Sequence, residues 1–335
     1  MAIFAGVGLC LFGGCEGPAG GEKLATAEAK RYLLSVDLRQ GGILRYKFVS
    51  RRQIDIDFGV GRGKGRAGTE TQKSTEQVEF VVSYEPVQVD ALGFATVRAR
   101  CESVKAERVS LAGRHSAADP VLAAAGKSFV LKVAPSGLIE DASELEQLIK
   151  EVGKAAFGGD RSRAIKDADM IFDFIAAQWF LWDSVSSIKR PSEGVAVGQS
   201  WKSKLLVPLP VPLPTGRDVT YRLERVTEGD GGQVAVIKSD YTLADRADPR
   251  WPLPYSGSFQ MRGTFGFFRG YKVLSLTGGA EQLFDIDAGR IKTDRQQYEV
   301  QMSMVMPGGT NESAVGSLKP GITIRQEITA ELLAD

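Results

Sequence analysis

One stretch constrains this chain more than any other: Asp141 to Ser187 reads as helix, and the sequence on either side of it reads as strand. Asp141-Ala142-Ser143-Glu144 has the pattern of a capping box. Leu145, Leu148, Ile149, Val152 and Ala156 follow at helical spacing, and Gly158-Gly159 ends the segment. A second helix is expected to start near Asp160 or Ser162 and to carry Ile165, Ala168, Phe172, Ile175, Trp179 and Trp182 on one face. Ile171, Phe174, Phe180 and Leu181 widen that stripe until little polar face remains, so burial on more than one side is expected.

The flanking texture is β. Ile54, Ile56 and Phe58 alternate with Asp55 and Asp57, and similar alternation predicts strands at Glu76 to Tyr84, through Glu85 to Val89, at Phe94 to Val104 and at Lys127 to Val133. Beyond the helices, strands are expected at Val219 to Val226, Gln233 to Leu243, Phe259 to Phe268, Lys272 to Leu276, Glu281 to Ile286, Arg290 to Val305 and Ile322 to Leu332. Two proline-rich stretches, Pro208 to Pro214 and Pro249 to Tyr255, mark edges or crossovers because proline cannot donate to a ladder. Ser83 to Arg98 has a counterpart in Thr220 to Ile237, and Phe129 to Ile139 echoes Gln282 to Ile291, which suggests an internal duplication. The expected fold is mainly β (α+β): two similar antiparallel curved sheets or half-barrels with an inserted αα-hairpin. In chain order this gives a signal segment at 1–15, a tether and lead-in at 16–41, a first β half at 42–140, the helical hairpin at 141–187 and a second β half at 188–335.

Ala2 to Gly14 is an uncharged run of apolar and small residues ending at Leu11-Phe12-Gly13-Gly14-Cys15. It is shorter than the roughly 20 apolar residues of a membrane-spanning helix and fits the h-region of an export signal, though no Lys or Arg precedes it. Gly13-Gly14-Cys15 resembles a bacterial lipobox, which implies lipidation of Cys15 and a membrane anchor facing the periplasm or cell exterior. Of the three cysteines, processing would remove Cys10 and modify Cys15, leaving Cys101, which sits in a predicted strand as a packing residue. The net charge is +1, with 25% of residues charged, so no nucleic-acid footprint is evident.

Leu44-Arg45-Tyr46-Lys47-Phe48, Pro135-Ser136-Gly137-Leu138-Ile139 and Gly198-Gln199-Ser200-Trp201, together with Cys15, resemble an uncharacterised family of bacterial secreted lipoproteins across nearly the whole mature chain. The resemblance implies no known activity and supplies no catalytic residues.

Catalytic chemistry has few carriers. The single histidine, His115, stands in a polar loop, and no Gly-x-Ser-x-Gly elbow is present. With one histidine and one surviving cysteine, an ordinary zinc site is not expected, nor is any other metal or cofactor. The glycine-rich loop Gly59 to Gly68 leads into a strand, not the helix that a phosphate cradle requires, and reads as a surface hairpin loop. Asp55/Asp57 and Asp285/Asp287 share faces at i, i+2, where alternation puts them toward solvent. The expectation is therefore an exported, membrane-anchored envelope lipoprotein that is not an enzyme and acts as a binding or structural module. The alternative is a carrier of lipid or another hydrophobic ligand, with Phe172, Trp179 and Trp182 lining a hollow in the curved sheet.

Overall fold

The computed structural model describes residues 30–39, 42–57, 71–110, 113–114, 119–157, 163–165, 169–229, 232–247, 251–255, 258–305 and 321–334. Cys15, the Gly59 to Gly68 loop and His115 lie outside them. Among the described residues eleven strands form the body of one antiparallel sheet, and their alternation accounts for most of them. In the first half these are β2 (Leu44–Asp57), β3 (Thr71–Val89), β4 (Ala95–Ser110), β6 (Ser128–Val133) and β7 (Ile139–Asp141). In the second half they are β10 (Ser200–Leu206), β11 (Gly216–Gly229), β12 (Gly232–Leu243), β14 (Arg269–Asp285), β15 (Arg290–Val305) and β16 (Gly321–Leu332). Two-residue strands complete the set: β1 (Arg31–Tyr32), β5 (Gly113–Arg114), β8 (Ala164–Ile165), β9 (Val195–Ala196) and β13 (Gln260–Met261). The helices are α1 (Ser143–Ala155), α2 (Ile171–Ser186) and the short α3 (Gly263–Phe267).

The sheet runs β10-β11-β12-β14-β15-β16-β2-β3-β4-β6-β7. The two expected half-sheets are thus both up-and-down meanders, and they join edge to edge. The last strand pairs with the first long one, from Gly321 opposite Asp57 to Leu332 opposite Tyr46. The mainly β, α+β architecture with helices inserted between the halves is as expected, and the sheet is not closed into a barrel: β7 and β10 are its two edges.

Several boundaries differ from the sequence reading, each for a non-local reason. β3 runs unbroken through Glu85-Pro86-Val87, because Pro86, which lacks a backbone N–H, coincides with a register shift against β4. The second helix begins at Ile171, not near Asp160 or Ser162: Ala164-Ile165 is captured as β8 by parallel pairing with β13, and Asp169 Oδ1 accepts from the backbone N–H of Ile171 at 3.0 Å. Phe259 to Phe268 is not one strand but β13 followed by α3. Asp285 does not face solvent. It is buried, accepts from the backbone N–H of Ala288 at 2.9 Å and pairs with Lys292 at 3.1 Å. The capping box does not close either. Asp141 Oδ1 accepts from the N–H of Ser143 at 2.9 Å, while Glu144 turns to the N–H of Val130 on β6.

α2 lies in the concavity of the sheet and is buried nearly all round, as its wide apolar stripe predicts. Phe174 packs on Phe80 of β3 and Phe129 of β6, and Trp182 packs on Tyr84 of β3. The buried polar residues of the helix reach several strands. Asp173 binds Ser50 and Arg52 of β2 and Gln326 of β16; Gln178 accepts from Tyr84 at 2.7 Å; Ser184 donates to Gln282 of β14. The helix therefore touches both halves of the sheet along its length. Opposite it, Arg217 of β11 is fully buried with its guanidinium 4.1, 4.7 and 4.9 Å from the rings of Tyr241, Phe180 and Tyr298, and it donates to Gln296 at 2.6 Å. Cys101 is buried in the core, and burial pushes its thiol pKa up to about 12, which suits a packing residue and not a nucleophile.

Candidate functional site

Because the sheet stops short of closure, its two edges face each other across a seam. A cleft of about 540 Å³ occupies that seam. One wall is the turn into β7 with Gly137, Leu138 and Ile139; the other is β10 with Lys202, Ser203 and Lys204. The floor is α2, contributing Gln178, Trp179, Trp182 and Asp183, and Trp251 and Glu146 bound one side.

Local sequence explains how these parts are held. Pro135-Ser136-Gly137 turns the chain with Gly137 at φ +89°, and a Cβ there would meet Val36 at 2.7 Å and Trp182 at 3.1 Å, so only glycine lets the turn press onto the indole. Trp201, in the Gly198-Gln199-Ser200-Trp201 motif, donates its indole N–H to the Ser184 carbonyl at 2.7 Å and stacks on Tyr221, which locks β10 to the end of α2. Gly153 of α1 stands where a Cβ would lie 2.0 Å from the Pro254 carbonyl oxygen, so the proline-rich loop that carries Trp251 sits directly on that helix.

At the centre of the floor, Asp183 accepts from Ser203 Oγ and from the Tyr221 hydroxyl, each at 2.8 Å. Burial raises its pKa to about 6, against the opposing effect of those two hydrogen bonds and of Arg217. The backbone of β10 is also available. Val207 N donates to Thr215 and Gln199 O accepts from Leu223, so odd-numbered residues point at β11. By ladder alternation, the N–H and C=O of Lys202 and Lys204 point into the seam. The Trp182 indole N–H is buried without a hydrogen-bond partner.

The residues expected to line a ligand site are divided by the fold. Trp179, half-buried, and Trp182, buried, both reach the cleft. Phe172, about two turns before Trp179, packs instead beside Leu209 and Val211 of the first proline-rich loop, where the void is only about 10 Å³. Asp183, Lys202 and Trp251 were missed. A second acid within a mostly apolar helix was the available signal for Asp183, and a tryptophan among prolines that for Trp251.

A second recess, a trough of about 1000 Å³, crosses the opposite face of the sheet from β14 to β4. Arg51, Arg295 and Arg325 alternate there with Glu281, Glu299 and Glu327, and Arg325 is already paired with Asp55 at 2.6 Å and Glu299 at 3.0 Å. Among the described residues no group of three or more His, Cys, Asp and Glu is placed to hold a metal ion, and no helix is long and apolar enough to cross a membrane.

The fold thus defines a class: an open antiparallel sheet wrapped round a buried helix, with a cleft at its seam. The sequence matches no protein-family model and no curated protein. Among solved structures it is similar to a chain described under lipid-protein interactions in lipovitellin, with 10% identity and a TM-score of 0.43. That similarity covers 89% of this chain but 26% of the other, so this chain spans about a quarter of its length. At that level it assigns neither family nor ligand.

Proposed function

We propose that the protein is a binding module of the cell envelope, held to a membrane through lipid on Cys15 and acting without catalysis, which presents the seam cleft to its ligand. The observation that carries the reading is the division of space around α2. The helix fills the sheet's concavity with packed side chains, and the recess left beside it is open, walled by both sheet edges and mostly polar. A carrier of wholly apolar molecules would need an enclosed apolar volume, and burying Asp183 and Lys202 against hydrocarbon would leave charged groups unsolvated. The three indoles of the cleft favour a ligand with some apolar surface, so a hydrophobic carrier is the second reading.

Filling the cleft tests this. Ser186, partly exposed on its rim, is changed to Trp, and thermal shift is measured for both proteins against panels of small polar ligands and fatty acids. A ligand class that stabilises the original protein and not Ser186→Trp supports a binding cleft; equal responses from both, or none, sink it. Stabilisation by fatty acids alone selects the carrier reading. Tethering is tested separately: Cys15→Ser should release the protein from the membrane fraction.

A further inference from the structure

The lining of the seam cleft narrows the chemistry of what it holds, given that the cleft is a binding site at all. Charged residues of both signs line it: Lys202 and Lys204 on β10, Glu140 on β7, Glu146 on α1, and Asp183 on α2. Lys204 is already engaged, reaching the Arg246 carbonyl at 3.3 Å and Asp218 at 3.6 Å. An anion would meet the three carboxylates and a cation the lysines, so neither is favoured. A hydrocarbon chain would satisfy the indoles and strand the polar groups.

What remains is a neutral molecule with one apolar face and a rim of groups that both donate and accept. A sugar ring has that form, with C–H bonds on its face and hydroxyls around its edge. We infer that the cleft is a saccharide site. The half-buried indole of Trp179 offers the ring a flat apolar platform. Asp183, Ser186 and Lys202 lie where hydroxyls would pair with them, and the seam-facing N–H and C=O of Lys202 supply a backbone donor and acceptor. The buried, unpartnered N–H of Trp182 is a further donor in the cleft wall. The volume falls within the roughly 300–1,000 Å³ of small-molecule sites, enough for a short oligosaccharide.

The experiment is a calorimetric and indole-fluorescence titration of full-length protein in detergent with tetrasaccharides of glucose, mannose and N-acetylglucosamine. A tetrapeptide mixture and a fluorescent fatty acid are run alongside. Saturable binding of at least one saccharide is expected, weakened about tenfold by Trp179→Ala through loss of the stacking surface. Lys202→Ala, at an exposed edge position, should weaken it with no change in folding, and Arg51→Ala in the trough on the opposite face should leave it unchanged. Saccharide binding indifferent to both cleft variants overturns the assignment. Binding of only peptide or fatty acid, lost in Trp179→Ala, also overturns it while leaving the cleft a binding site. Silence from all three classes removes both readings.

Discussion

The guanidinium of Arg52 on β2 meets the carboxylate of Asp173 on α2 in an ion pair whose side chains are 2% and 1% exposed. Around it Ser50 Oγ donates to Asp173 at 2.7 Å, Gln326 donates at 2.8 Å, and Arg52 lies 3.4 Å from Glu76, which in turn holds Arg108 at 2.7 Å. Together with Gln326 of β16, the pair joins the helix to the two strands at which the halves of the sheet meet. Such a pair contributes little net stability when whole, but removing one partner leaves an uncompensated buried charge. Asp173→Ala should therefore cost about 3 to 5 kcal/mol, a large share of a typical stability. A denaturant midpoint close to that of the unaltered protein would refute the anchoring role.

Asp169 sets a pH dependence. Burial first, then the nearby charge of Asp119, raises its carboxyl to about 8, opposed by the Ile171 N–H and Arg108, with Asp173 adding to the rise. In an unfolded chain an aspartate titrates near about 4, so the folded state holds a proton that the unfolded state releases. The stability this contributes is full below about pH 4 and is lost as the pH rises through about 8. Asp169→Asn keeps an acceptor for Ile171 and cannot ionise. Its melting temperature should gain on the original protein as pH is raised from 5 to 9; parallel curves would exclude the effect.

At Gly153 two effects oppose each other. Alanine is better than glycine inside a helix by about 1 kcal/mol, but its Cβ would sit 2.0 Å from the Pro254 carbonyl oxygen. Backbone at that distance must move, and such overpacking costs about 1 to 3 kcal/mol. Gly153→Ala should be net destabilising and should disturb Trp251, read as a change in indole emission. A stabilised variant would mean that the loop yields freely.

Of the two cleft tryptophans on α2, only Trp182 is a core residue. Trp182 is buried against Tyr84 and the Gly137 turn, so Trp182→Ala should cost about 3 to 5 kcal/mol. Trp179, half-buried on the cleft side, should cost clearly less when truncated. Equal losses in chemical denaturation would place Trp179 in the core and weaken its use as a binding platform.

What could be read from the sequence was local. The buried face of α1, with Leu145, Leu148, Ile149 and Val152, and the span of β15 follow from periodicity within the segment itself. The start of α2 did not, because Ala164-Ile165 is claimed by a strand nearly a hundred residues away. The cleft was legible only as aromatic residues on α2. Its other half depends on how far the sheet curls, and so on which strand becomes the edge. Asp183 takes its hydrogen bonds from Ser203 and Tyr221, on strands that no spacing rule links to the helix. Phe172 shares the helical stripe with Trp179 and Trp182 but meets a different neighbour, a distinction periodicity cannot make.

The pairing of β16 with β2 orders events during folding. Every other long-strand partnership on the β2 side can form early, but β2 itself keeps one open edge until β16 is made, since that partner begins only at Gly321. Contacts of such sequence separation form slowly, and an unpaired strand as long as β2 is a template for intermolecular association in the meantime. The nascent chain therefore depends on β16 to protect its first long strand, and removal of that strand alone would convert the middle of the sheet into an adhesive edge.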